Sequence, residues 1–179
     1  MKRRPEARPA APFEAPREPA DRLATPGQVG ARLDYGRVYP AAVEAMAGLE
    51  RAVRSSALEP ELLELVKMRA SQLNGCGYCL DMHSKDAVAV GVEPQCLHLL
   101  AAWREAPCYS PRERAALSWC EALTLLPQTN APDQEFQEVQ AAFSAPELVA
   151  LTLAVVAING WNRLAVGFRT PVGSYTRGG

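Results

Sequence analysis

Residues 64–83 read ELVKMRASQLNGCGYCLDMH and carry a carboxylate, two thiols and an imidazole, as Glu64, Cys76, Cys79 and His83. Two helical patterns flank Asn74-Gly75. The first opens at Pro60, which suits a first helical position because its missing N–H would be unpaired there anyway. Leu62, Leu63, Val66 and Leu73 supply its apolar positions. Asn74-Gly75 then ends it as a left-handed cap, and the second pattern runs from about Cys76 to Val90, closed by Gly91. The stretch therefore reads as helix, turn, helix, with a Cys-x-x-Cys at the start of the second helix.

That placement bears on chemistry. Residues three and four apart share a helix face, so Cys76, Cys79 and His83 form one stripe. A Cys-x-x-Cys at a helix start closes to a disulfide with small adjustment. The helix N-terminus favours the thiolate, and an imidazole can take the proton. Glu64 lies eleven residues before Gly75 and His83 eight after it. At ~1.5 Å per residue these are roughly 16 Å and 12 Å back from the turn. If the helices fold antiparallel, Glu64 comes level with Cys79 and His83 rather than with Cys76. This predicts a Glu64–Cys79–His83 cluster, with Cys79 the activated thiol and Cys76 its disulfide partner. A carboxylate so placed can accept a proton directly or through a water.

The rest of the chain is helical in its punctuation. A helix is expected from Pro40 to about Ser55, and another from Pro94 through Trp103. Ser110-Pro111-Arg112-Glu113 and Ser144-Ala145-Pro146-Glu147 both fit the capping box, heading helices at about 111–126 and 146–168. Asn130-Ala131-Pro132-Asp133 starts a further helix through Phe143. No period-two strand or hairpin signal stands out, so the expectation is an all-α domain of six or seven helices. Residues 1–26 hold six prolines and bury too little apolar surface to offset their ordering entropy, which predicts an extended tail ahead of a domain at 27–179.

Bulk properties narrow the classes. The 179 residues suit one domain with its own core, 48% of them hydrophobic and 22% charged. A formal net charge of −1 offers no field for nucleic acid or anionic lipid. Lys2-Arg3-Arg4 leads into proline-rich sequence rather than a secretory apolar run. The run Leu148 to Ile158 is shorter than the ~20 residues of a membrane span and reads as a core helix. An odd count of five cysteines favours free thiols in a reducing compartment, hence a cytoplasmic location.

The stretch LLELVKMRASQLNGCGYCLDMHSKDAVAVG (62–91) resembles the AhpD-like alkylhydroperoxidases of the carboxymuconolactone decarboxylase superfamily. Their signature of Glu, Cys-x-x-Cys and His falls on Glu64, Cys76, Cys79 and His83. The likeness extends from Leu33-Asp34-Tyr35 through AAWREAP (101–107), SPRERAAL (110–117) and AINGWNRLAVGFR (157–169). It implies an all-helical homo-oligomer that reduces hydrogen or alkyl hydroperoxides, with Cys79 attacking and Cys76 resolving. It further implies regeneration by an external dithiol, with no cofactor beyond the cysteines. Tyr78 stands where AhpD itself has a histidine between the cysteines, which points to the broader peroxidase-related group.

The same residues admit other readings. Two cysteines, a histidine and a carboxylate can bind zinc. A general thiol–disulfide oxidoreductase and a non-catalytic helical oligomer with a regulatory or partner-binding role are the functional alternatives. Cys96, Cys108 and Cys120 have no partner motif: Cys120 reads as core, Cys108 as an incidental loop thiol. His98 reads as structural, and Trp161-Asn162-Arg163 as a helix packing site, with a pocket or interface lining as the alternative.

Overall fold

The computed structural model describes residues 30–177. The proline-rich segment 1–26 lies outside the described residues. Nine α-helices follow in order: α1 (Tyr35–Val38), α2 (Pro40–Arg54), α3 (Pro60–Leu73), α4 (Gly77–Val90), α5 (Pro94–Leu99), α6 (Pro111–Thr124), α7 (Leu126–Thr129), α8 (Asp133–Ala142) and α9 (Ala145–Phe168). A 3-10 turn, Leu100–Ala102, follows α5.

The starts are those the sequence signals. Proline occupies the first position of α2, α3, α5 and α6. Both capping boxes form: Glu113 N–H donates to Ser110 Oγ at 3.2 Å while Ser110 N–H donates to Glu113 Oε2 at 2.7 Å. Ser144 and Glu147 repeat the arrangement.

Two ends and one start depart from expectation. The helix from Pro94 stops at Leu99 and tightens into the 3-10 turn before Trp103. The helix from Pro111 stops at Thr124 rather than 126, because Pro127 has no N–H to continue it and its ring would meet the Leu123 carbonyl. A separate single turn, α7, follows and ends on Asn130 at φ 54°. Cys76 is the extended cap of α4 and not its first residue (φ −87°, ψ 94°). The two four-residue helices account for the excess over the expected number. Among them, α1 depends on Asp34 Oδ1 accepting from Arg37 N–H at 3.1 Å.

Helix α3 runs through the middle, packed by α4, α6 and α9. Leu62, Leu63, Val66 and Ala70 join Cys120, Leu151, Val155 and Ile158 in one core, and Leu65 and Met68 join Ala87, Leu100, Trp103 and Leu117 in a second. Packed this way, α3 leaves Glu61 exposed and Arg69 and Gln72 half-buried. Its other polar residues Glu64, Lys67 and Ser71 are buried, at 2%, 0% and 0% exposure, and must find partners inside. This constraint builds the site.

Helix α9 has an 18-residue window of mean hydropathy 1.5 and is long and apolar enough to cross a membrane by length and composition alone. One face of it packs against α2, α3, α4 and α6. Val149, Leu153 and Val156, spaced on the opposite face, are exposed at 59%, 38% and 53%.

Candidate active site

The α3–α4 turn sets the geometry. Gly75 takes φ 63°, a left-handed conformation that costs an L side chain strain. Cys76 N–H returns to Ser71 C=O at 3.0 Å, closing the turn. Asn74 Nδ2 fixes it to α9, donating to Asn162 Oδ1 at 2.8 Å and to Asn159 Oδ1 at 3.0 Å. The antiparallel return brings Glu64 against His83, with Glu64 Oε2 2.7 Å from His83 Nδ1. With the carboxylate ionised, Nδ1 carries the proton and donates it, which leaves Nε2 as the basic ring nitrogen.

Glu64 is held by more than the histidine. Arg54 Nη2 stands 3.4 Å and Lys67 Nζ 4.0 Å from Oε1, and Lys67 also pairs with Glu50. Burial works to raise the Glu64 pKa. The His83 hydrogen bond and the charges of His83, Lys67 and Arg54 overcome it and hold the carboxyl below its ordinary range.

The two thiols are reduced and both 1% exposed. A hydrogen bond between them shifts their acidities in opposite directions. The hydrogen bond from Cys79 lowers Cys76 to about 7 against the opposition of burial, assisted by the backbone N–H of Cys79, the Asn162 side chain and the Tyr78 N–H. The same bond, with burial, raises Cys79 far above the ordinary thiol range. Cys76, at the cap of α4 where the helix N-terminus favours a thiolate, is therefore the more acidic of the two. Ser71 and Asn162 side chains reach Cys79 from α3 and α9.

A cavity of about 380 Å³ opens beside the pair. Cys79 and His83 both line it, with Tyr35, Tyr78, Met82 and Trp161 as apolar walls and Arg51 and Arg54 among its charged groups. Cys76 does not line it and borders instead a smaller cavity of about 230 Å³ beside Val172.

Of the four residues the sequence singles out, Glu64 and His83 touch, Cys79 faces the same cavity as His83, and Cys76 lies behind Cys79. No hydrogen bond joins Glu64 to Cys79 among the described residues; Glu64 meets the cavity wall at His83 and Arg54. The zinc reading needs both sulfurs to converge with His83 and Glu64. Among the described residues, the ligand atoms within 4.8 Å of one another belong to Glu64, His83 and Asp86, without either sulfur. Those carboxylates already face cations, Glu64 as above and Asp86 at 3.7 Å from Arg177.

Lys67, Ser71, Asp86 and Asn162 escape a motif-based reading. Lys67 carried a signal: a lysine three residues after Glu64, in a helix whose neighbours are apolar, must pair inside. Asp86 likewise falls one turn beyond His83, and its Oδ1 accepts from Tyr175 Oη at 2.8 Å. Asn162, read as packing, is 1% exposed and faces the thiols.

Comparison with known proteins agrees with this architecture. Residues 39–122 match the carboxymuconolactone decarboxylase family. The uncharacterized protein YdfG of Bacillus subtilis is 36% identical over 135 residues, 75% of this chain and 92% of YdfG. Among solved structures, ATU0492 of Agrobacterium tumefaciens is described as a protein of unknown function and candidate AhpD antioxidant defence protein. It is 43% identical, with a TM-score of 0.78 over 82% of this chain and 100% of that one. The debrominase Bmp8 shares the fold at 20% identity, with a TM-score of 0.70 over 77% of this chain and 74% of its own. The chain belongs to the carboxymuconolactone decarboxylase family, as an AhpD-like protein.

Proposed function

We propose that this protein is a thiol-dependent peroxidase for organic hydroperoxides, running a Cys76–Cys79 dithiol/disulfide cycle. The observation that carries the reading is that Cys79 and a carboxylate-oriented His83 line one cavity while a low-pKa Cys76 waits behind. A cavity of about 380 Å³ with aromatic walls exceeds the needs of hydrogen peroxide and suits an alkyl or aryl hydroperoxide.

In the first step Cys79 Sγ attacks the terminal peroxide oxygen, and the O–O bond breaks. The Cys79 proton passes to His83 Nε2 and on to the departing alkoxide, giving a sulfenic acid and an alcohol. Glu64 keeps Nδ1 protonated and stabilises the imidazolium during the transfer. In the second step the Cys76 thiolate attacks the Cys79 sulfenic sulfur; hydroxide leaves, takes a proton, and the disulfide remains. An external dithiol restores the pair by exchange, its own sulfurs becoming the disulfide. The depressed pKa of Cys76 serves the second step, which requires a thiolate.

One observation favours reversed roles: Cys76 is the more acidic sulfur and it borders a cavity of its own. Trapping the sulfenic acid with dimedone separates the two. Under the proposal, peroxide-treated Cys76→Ser is labelled at Cys79 and Cys79→Ser is not labelled at Cys76. Label on Cys76 alone reverses the roles, and label on neither removes the peroxidase reading. The fold does not choose the reaction, since Bmp8 shares it and is a debrominase.

The protein also acts as a homo-oligomer in this account. Val149, Leu153 and Val156 on α9, and Leu33, Val38 and Tyr39 by α1, are exposed apolar groups of the kind an assembled interface covers.

A further inference from the structure

Five cysteines leave three outside the proposed cycle. Cys120 is one of the core: it is 0% exposed, burial pushes it up to about 12, and its thiol donates to Val66 C=O at 3.4 Å. The other two differ. Cys96 lies half-buried on α5, and Cys108 is exposed in the loop before α6. The two side chains are neighbours, each acting on the other and on Tyr109, whose hydroxyl reaches the Cys96 backbone.

The loop that carries Cys108 is tied in place. Arg114 on α6 donates to the carbonyls of Tyr109 at 3.1 Å, Trp103 at 2.8 Å, Arg104 at 3.0 Å and Ala106. Tyr109, itself 5% exposed, sends its hydroxyl to the Cys96 carbonyl at 2.5 Å. The neighbour of Cys108 is therefore bonded to the backbone of Cys96. The entropy of bringing the two thiols together has already been spent by the fold, which favours ring closure over two separate adducts.

We propose that Cys96 and Cys108 are a second redox-active dithiol, which closes to a reversible disulfide by exchange with a low-molecular-weight disulfide. Cys108, the exposed sulfur, attacks as thiolate, bonds to one sulfur of the reagent and expels the other as a thiolate. Cys96 then gives up its proton and attacks Cys108 in the mixed disulfide, expelling the second thiolate. The protein pair loses two electrons and two protons, and the reagent becomes two thiols. Burial, then Cys108, pushes Cys96 up to about 11, so Cys96 holds its proton until the mixed disulfide has formed. The reverse sequence is a route by which an external dithiol reduces the protein at a surface away from the cavity.

The test uses the full chain with both Cys76 and Cys79 changed to serine, so that its outcome does not depend on peroxidase activity. Reduced protein is incubated with oxidised glutathione, quenched with iodoacetamide and cut with trypsin. Cys96 then falls in residues 86–104 and Cys108 in residues 105–112. The expected product is these two peptides joined, lighter by two hydrogens than their sum, and lost on reduction. Cys108→Ser in that background should abolish all reaction at Cys96, while Cys96→Ser should stop at a glutathione adduct on Cys108. Recovery of both peptides separately, alkylated or each with its own glutathione, overturns the proposal.

Discussion

Glu64 Oε2 and His83 Nδ1 lie 2.7 Å apart although 19 residues separate them in the chain, and both side chains are about 97% removed from solvent (3% exposed each). Such a pair forms only if the α3–α4 turn returns the chain antiparallel, so the acid–base unit depends directly on Asn74-Gly75.

Replacing Glu64 by Gln leaves an acceptor but removes the charge that supports an imidazolium. Peroxide turnover should fall by about 10²-fold, and Glu64→Gln/His83→Ala should be no worse than His83→Ala alone, because the two act as a unit. Steady-state kinetics check it. The pH dependence follows from the lowered Glu64 pKa: its stabilising contribution is present above the ordinary carboxylate value and is lost as pH falls through the lower native one. Acid denaturation of Glu64→Gln should accordingly lose less stability over that range than wild type.

Cys76 should titrate near 7 in the reduced protein, as one step of thiolate absorbance at 240 nm that Cys76→Ser removes. Cys79→Ala withdraws the main hydrogen bond and should move that step up toward the ordinary ~8.5. The lowered value also stabilises the fold: the contribution is full above the ordinary thiol pKa and is lost as pH falls through about 7. A Cys79→Ala step still near 7 would mean that the cap position alone sets the thiolate.

Lys67 is buried against Glu50 and Glu64. Lys67→Ala leaves two carboxylates under-compensated in the interior and should destabilise by about 3–5 kcal/mol in urea unfolding. Lys67→Met keeps the volume but not the charge, and should also lower turnover by loosening Glu64.

The outer stripe of α9 should be covered in solution. Leu153→Asp with Val156→Asp places two charges on that stripe while leaving the inward face intact. Sedimentation should show wild type as an oligomer and the double variant as a folded species of lower mass; a monomeric wild type would remove the homo-oligomer from the account.

Much of this was legible in the chain. Pro40, Pro60, Pro94 and the two Ser-x-x-Glu boxes each act within one turn, so local sequence alone places those helix starts. Helix ends were less legible, because the stop at Thr124 depends on Pro127, three residues further on, while Leu125 and Leu126 continue the apolar run. The heights of Glu64 and His83 followed from rise per residue. The partners of the thiols did not, because Asn162 reaches them from α9, some 80 residues away, and no local pattern encodes that approach. Lys67 lay between these cases: its burial follows from α3 being enclosed, which only the packing of α4, α6 and α9 reveals.

Consumption of cumene hydroperoxide with dithiothreitol as reductant tests the central claim most directly. The wild type should turn over, Cys79→Ser should not, and Cys76→Ser should turn over more slowly, consuming a single equivalent of peroxide when dithiothreitol is left out. Unchanged turnover in both variants, or none in the wild type despite a Cys76–Cys79 disulfide that forms and exchanges freely, would contradict it.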